Sequence, residues 1–164
     1  MSGHHPTRRQ LFQGLAGGAA LAAGLEARAA EPVATNQRVK QSIVQWCYAK
    51  GRTKFGMDLE AMCLLAKKLG CPSIELAKPE DWATLKKHGL VCAIAGSHGF
   101  EKGMNNPAYH DMCIDKMSKS IELCADAKFP SVITFTGFRE NIADDDGVKN
   151  CVAGYKKIIG LAEK

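Results

Sequence analysis

Apolar, β-branched runs alternate with helical segments along this chain, and no tight turn joins two runs directly. That rhythm restricts the fold more than any other feature. The runs are Ser42–Tyr48, Ser73–Ala77, Leu90–Gly96 and Ser131–Gly137. Each is followed by a stretch with helical spacing of its apolar residues, and the last reaches Lys164. A strand that returns to the sheet through a helical crossover lies parallel to its predecessor, because a two-residue hairpin can only reverse direction. The fold class expected is therefore α/β, built of parallel (β/α) units. Four units make half of a (β/α)8 TIM barrel, whose usual length is about 250 residues. The expected organisation is the first half of such a barrel over residues 40–164, truncated at Lys164.

Local signals mark the units. Asp58 is placed to start a helix in which Leu59, Met62, Cys63, Ala66 and Leu69 recur at helical spacing, and Gly70 is placed to end it. Pro79 and Gly89 bracket a shorter helix in the favoured order. Leu90–Ala95 lacks polar alternation, as a strand buried on both faces does. The helix expected over Pro107–Ala127 is the longest, and Asp144, Asp145 and Asp146 open the last one, at the positive end of its dipole.

The N-terminus reads as a targeting segment. Arg8 and Arg9 precede an apolar Gly/Ala/Leu stretch from Gly14 to Leu25, and Ala27-Arg28-Ala29 has the small-x-small form of a cleavage site. This order of features predicts a twin-arginine signal peptide over residues 1–29, a linker over 30–39 and export to the periplasm. The stretch is shorter than the roughly 20 strongly apolar residues a membrane span needs, so no stable span is expected after cleavage. Removing three arginines and one glutamate lowers the formal charge from +5 to +3. The remaining lysines are scattered over helices without interleaved aromatic platforms, which argues against nucleic acid as a partner.

Seven cysteines form no CxxC pair, and most lie inside apolar patterns, so they are expected to pack as small hydrophobes instead of forming a disulfide framework. The twin-arginine route carries folded proteins, so reduced folding before export is compatible with this.

In parallel α/β architectures, ligands sit at the carboxyl ends of the strands. That rule nominates Gln45, Trp46 and Tyr48; Glu75; Ser97 and His98; and Thr136, Arg139 and Glu140. His98 lies between Gly96 and Gly99, which permit close backbone approach, and an imidazole there could polarise a carbonyl or move a proton; a loop histidine bonded to backbone is the competing role. Glu75 needs a substrate hydroxyl or a neighbouring cation as partner. Arg139 could hold an anionic group through its fork of donors, or be solvated. Trp46 could wall a sugar site or serve packing. His88 and His110 are expected at the surface. HExxH, Walker, G-x-S-x-G and GxGxxG motifs do not occur, nor does a cluster of residues with metal-ligand spacing. No catalytic residue and no metal ligand is therefore assigned.

Gln45-Trp46-Cys47-Tyr48, Gly70-Cys71-Pro72-Ser73-Ile74-Glu75-Leu76, Ala95-Gly96-Ser97-His98-Gly99 and Thr134-Phe135-Thr136-Gly137, in that order, resemble the hydroxypyruvate isomerase-like branch of the xylose-isomerase-like barrels. Members are described as sugar phosphate isomerases/epimerases, and some carry twin-arginine signals. The resemblance covers residues 40–164. It implies a metal-assisted isomerase or epimerase that moves a proton next to a carbonyl in a small carbohydrate or hydroxy-keto acid. It also implies a divalent metal (Mg, Mn or Zn) for the full-length member, held from the fifth strand onward by two glutamates that double as acid/base groups, with Asp and His or Gln. His98 and Glu75 match substrate-side positions, so the chain as given is expected to lack isomerase activity and to self-associate through open sheet edges. The alternatives are a non-catalytic periplasmic sugar-binding module that uses the loop Gly96–Asn106, and a complete flavodoxin-like domain.

Overall fold

The computed structural model describes residues 32–33, 38–52, 54 and 56–164. The chain divides into two units, Met1–Pro32 and Val33–Lys164, and every element below belongs to the second. The expected signal peptide, and most of the linker, lie outside the described residues.

Strand β1 (Ser42–Val44) is followed by a 3-10 turn, Gln45–Cys47, and by helix α1 (Leu59–Leu69). Asp58 caps α1 by accepting from Ala61 N at 2.8 Å, and Gly70 closes it at φ 78°. Strand β2 (Ser73–Glu75) leads through the turn Pro79–Asp81 into helix α2 (Trp82–Lys87), and then strand β3 (Val91–Cys92) follows. After a long loop and a turn at Pro107–Tyr109 come helices α3 (His110–Ala127), α4 (Asp144–Tyr155) and α5 (Ile159–Ala162). No helix among the described residues is long and apolar enough to cross a membrane.

The fold is mixed α/β around a small parallel sheet of order β1-β2-β3. Its register aligns Ile43 with Ile74 and Ile74 with Cys92. Successive strand residues face opposite ways, so these three share one face. They are buried in one cluster with Met62, Cys63 and Ala66 of α1 and with Trp82 and Leu85 of α2. The other face carries Ser42, Val44, Ser73, Glu75 and Val91, with Ser73 Oγ donating to Ser42 Oγ at 3.0 Å. Val91 is 38% exposed, so β3 is not buried on both faces as its composition suggests; the helices of the main core pack against the opposite face.

The strands are shorter than their apolar runs. The chain leaves β1 for a 3-10 turn at Gln45, and Leu76 takes a left-handed conformation at φ 57° that ends β2. The fourth run, Ser131–Gly137, is no strand but a single parallel bridge between Val132 and Ala95. Ala95 N donates to Ser131 O at 2.9 Å, and Ile133 N donates to Ala95 O at 2.8 Å. On the other edge, the backbone groups of Val132 and Thr134 meet no backbone partner among the described residues, so no ladder extends. The bridge still places this segment beside the continuation of β3. In the flavodoxin order β1 sits between β2 and β3, whereas here β2 is central.

The final helical stretch does not run unbroken to Lys164. After Tyr155 the bonds tighten, with Lys157 N donating to Gly154 O and Ile158 N to Tyr155 O. This turn seats Ile158 in a second core cluster with Met104, Cys113 and Met117.

All seven cysteines are free, and Cys63, Cys71, Cys92, Cys113 and Cys124 are buried. Burial raises the thiol pKa of Cys63, Cys92, Cys113, Cys124 and Cys151, and likewise the Tyr155 phenol. These acids ionise more readily in the unfolded chain, so the unfolded state loses protons first as pH rises. Their contribution is intact below the ordinary thiol value of about 8.5 and is lost as pH climbs towards the folded values. Thermal melts in reductant are expected to give a Tm that declines steadily above about pH 8.5. A Tm unchanged up to pH 10 would contradict this.

Candidate functional site

His98 lies past the carboxyl end of β3 and is 7% exposed. Its Nδ1 is 2.9 Å from Gly99 O, and its Nε2 is 2.9 Å from Thr134 Oγ1. A carbonyl can only accept, so Nδ1 carries a hydrogen and donates to Gly99 O, and in that tautomer Nε2 accepts a hydrogen bond from the Thr134 hydroxyl. The Thr134 oxygen then has a lone pair turned to the Tyr155 hydroxyl, at a long 3.4 Å. Phe135 packs edge-on to the imidazole with ring centroids 6.0 Å apart. Ser97 Oγ donates to Ile133 O, and Ser120 Oγ to Gly96 O at 3.0 Å, so hydroxyls fix the flanking loop where sheet bonds end. The arrangement aims and holds an imidazole whose Nε2 can exchange one neutral hydroxyl for another.

The other sequence-nominated residues are dispersed. Glu75 ends β2, half-buried, opposite Val44 in register, and its charge raises the Cys92 thiol pKa as a minor effect beside burial. Gln45 Nε2 donates to Asp81 Oδ2 at 2.9 Å. Trp46 stands 52% exposed in the turn after β1. Arg139 is an exposed loop residue paired with Asp144 at 3.1 Å. Among the described residues, His98 bonds to Gly99 and Thr134 and packs on Phe135, and none of these contacts is with Glu75, Trp46 or Arg139. Glu140 accepts from Asn106 Nδ2 at 3.0 Å and from the Tyr109 hydroxyl at 3.4 Å.

The two other histidines among the described residues depart from the expected surface positions. His110 is buried at the start of α3, where its Nε2 lies 2.9 Å from Met104 O; the ring folds back over the loop that precedes the helix. His88, half-buried at the end of α2, pairs with Glu60 at 2.7 Å. Lys87 and then His88 hold the Glu60 carboxyl below its usual pKa.

Two cavities flank Tyr155. One, of about 700 Å³, lies along α3 and α5 and is lined by Met117, Ile121, Phe129, Val132, Thr134 and Tyr155 among others. The second, of about 440 Å³, is bordered by Asn105, Gly137, Arg139 and the first turns of α4. No family model, curated protein or solved structure matches this chain.

The donor set does not fit a metal centre. Among the described residues, no three His, Cys, Asp or Glu side chains converge, and both His98 nitrogens are engaged. No step through a metal is derived for these residues. Sequence reasoning gave no site role to Thr134 or Tyr155, and named Asn105 only within the loop Gly96–Asn106. Tyr155 is one aromatic within a helix, and Thr134 lies inside an apolar run, so neither carries a local signal of its role.

Proposed function

We propose that this chain is an exported parallel β/α module of the sugar isomerase/epimerase type, arranged as the first four units of a (β/α)8 barrel. In this reading it holds a small carbohydrate or hydroxy-keto acid at the carboxyl ends of its strands. The observation that carries the proposal is the sequential parallel order, with the fourth segment bridged beside the continuation of β3 and His98 fixed just beyond it. On binding, a substrate hydroxyl or carbonyl replaces Thr134 at His98 Nε2, while Gly99 O keeps the ring oriented. Glu75 receives a second hydroxyl. The divalent metal implied by the resemblance finds no ligand set among the described residues, so these residues are assigned substrate contacts and no metal chemistry. Self-association through the free edge at Val132 and Thr134 belongs to the same proposal.

A second reading, a module that binds such compounds without turning them over, is favoured by the near-complete cover of the His98 ring. One experiment addresses both. Hydroxypyruvate and a free ketose are titrated into the protein by calorimetry, and formation of the aldehyde isomer is followed in parallel. His98→Ala is expected to weaken binding about tenfold, the loss of one neutral hydrogen bond of about 1–1.5 kcal/mol, with the circular dichroism unchanged. Turnover by this chain would exclude the binding module, and binding without turnover agrees with both readings of an inactive chain. Absence of any binding to the wild type sinks the proposal.

A further inference from the structure

The bonds of Ser131–Thr134 alternate sides. Ser131 O and Ile133 N face Ala95, and Ile133 O accepts from Ser97 Oγ. The N–H and C=O groups of Val132 and Thr134 turn the other way, where they meet no partner among the described residues. The space on that side is open, since Val132 and Thr134 both line the cavity of about 700 Å³. Unpaired groups along a strand edge are a template for a further strand.

Their spacing selects the strand that fits. Two residues, each offering one donor and one acceptor, flank Ile133 symmetrically. A second copy related by a two-fold axis at Ile133 sets Val132 opposite Thr134 of the second copy, and the reverse. Antiparallel residues opposed in this way exchange both N–H···O bonds, so four bonds satisfy every free group of both copies. The ladder then stops by itself. Next outward stand Pro130, which has no N–H, and Thr136, whose carbonyl already accepts from Asn105 N. At the axis the two Ile133 residues form a non-hydrogen-bonded pair, the arrangement in which side chains approach most closely. Ile133 is half-buried and belongs to neither apolar cluster, so it has surface left to bury. Ile159 lines the same cavity at 51% exposure and adds apolar area beside the edge.

Charges and prolines are the usual means of blunting an edge, and Ser131–Thr136 contains neither. The opposite edge of the sheet differs, because exposed Arg38 and Lys40 precede β1. The same segment of a second copy is therefore a better match for this edge than β1 of a neighbour.

We propose that the chain forms a two-fold dimer by antiparallel pairing of Val132 with Thr134 about Ile133. This fixes the partner and the register of the self-association put forward above, and it rests on that part of the reading alone.

Sedimentation and amide hydrogen exchange of the full chain over a concentration series test it, with no sugar present, so neither result bears on the His98 site. A monomer–dimer equilibrium is expected. Exchange at the Val132 and Thr134 amides should slow as the dimer fraction rises, while Ile133, bonded to Ala95 in either state, and Ser42–Val44 should not change. Ile133→Lys and Ile133→Glu each place like charges together at the axis, and each alone is expected to weaken the dimer about tenfold. Their equimolar mixture should recover it, because position 133 of one copy faces position 133 of the other. Val132→Pro removes one free donor and no internal bond, and is expected to be monomeric with unchanged circular dichroism. The proposal is overturned by a monomer at every concentration, or by Ile133→Lys pairing as the wild type does. A mixture that pairs no better than either charged variant overturns it too. Protection of Val132 and Thr134 that is independent of concentration would mean that the chain fills its own edge. Protection of Ser42–Val44 that rises with concentration would mean that β1 of a neighbour is the partner, and either result overturns the proposal equally.

Discussion

Trp82→Ala is expected to destabilise the protein by about 3–5 kcal/mol, the usual cost of truncating a buried tryptophan. Trp82 is 6% exposed and opens α2. Its Nε1 donates to Ala77 O at 2.9 Å, just beyond β2, and its ring meets Phe129 edge-on with centroids 4.9 Å apart. Phe129 follows α3, so a single side chain ties the sheet, α2 and the far end of α3 together. Truncation removes that packing, opens a cavity and leaves Ala77 O with only a weak Cys92 Sγ contact at 3.8 Å. Domains of this size have total stabilities of about 5–15 kcal/mol, so this loss takes a large share. Urea unfolding followed by far-ultraviolet circular dichroism gives the value. Trp82→Phe keeps a ring and loses the donor, and should cost about 1–3 kcal/mol. A loss below 1 kcal/mol for the alanine variant would contradict the central place given to this residue.

The second large effect is expected at Gly103. A Cβ there would run into Gly137 N, the Thr136 carbonyl carbon and Phe135 O, all backbone atoms. Side chains can swing away from an intruding methyl, but a hydrogen-bonded backbone cannot. The same stretch is pinned by Met104 N donating to Phe135 O and Asn105 N to Thr136 O. Gly103→Ala should therefore cost about 3 kcal/mol, the upper end for overpacking, and lower the Tm by roughly 10 °C. Hydrogen exchange at the Asn105 amide should accelerate. Gly99→Ala is the control, because nothing lies within 4 Å of a Cβ there, and its effect should stay within about 0.5 kcal/mol. Equal melting temperatures for the two variants would refute the close approach at Gly103.

The contrast between these glycines shows what the sequence could and could not disclose. Gly70 and Asp58 act through neighbours a few residues away, so the bounds of α1 were readable from local spacing. The parallel sheet was readable too, because a helical crossover forces strand direction. Gly103 and Gly137 touch each other across a gap of 34 residues, and no local pattern announces such a contact. Segment Ser131–Gly137 has the composition of a strand, yet a strand is a pairing, and its bonds are split between Ala95 and the Met104–Asn105 loop with Val132 and Thr134 left without a backbone partner among the described residues. His98 was found because a glycine-flanked histidine past an apolar run is a positional signal. Its partners Thr134 and Tyr155 reach it only through the tertiary fold.

Helix α3 enters both apolar clusters, with Cys124 in the one around the sheet and Cys113 and Met117 in the other with Met104 and Ile158. The second cluster has few fully buried members, and α4 and α5 rest on it from one side. Local opening free energies need not be uniform when burial is this uneven. The C-terminal stretch is expected to open as a subglobal unit, with α3 still anchored at its sheet-side end. Amide protons of α4 would then exchange through a cheaper opening than those of α1 and β2, and both cavities beside Tyr155 would be remade each time that unit returns.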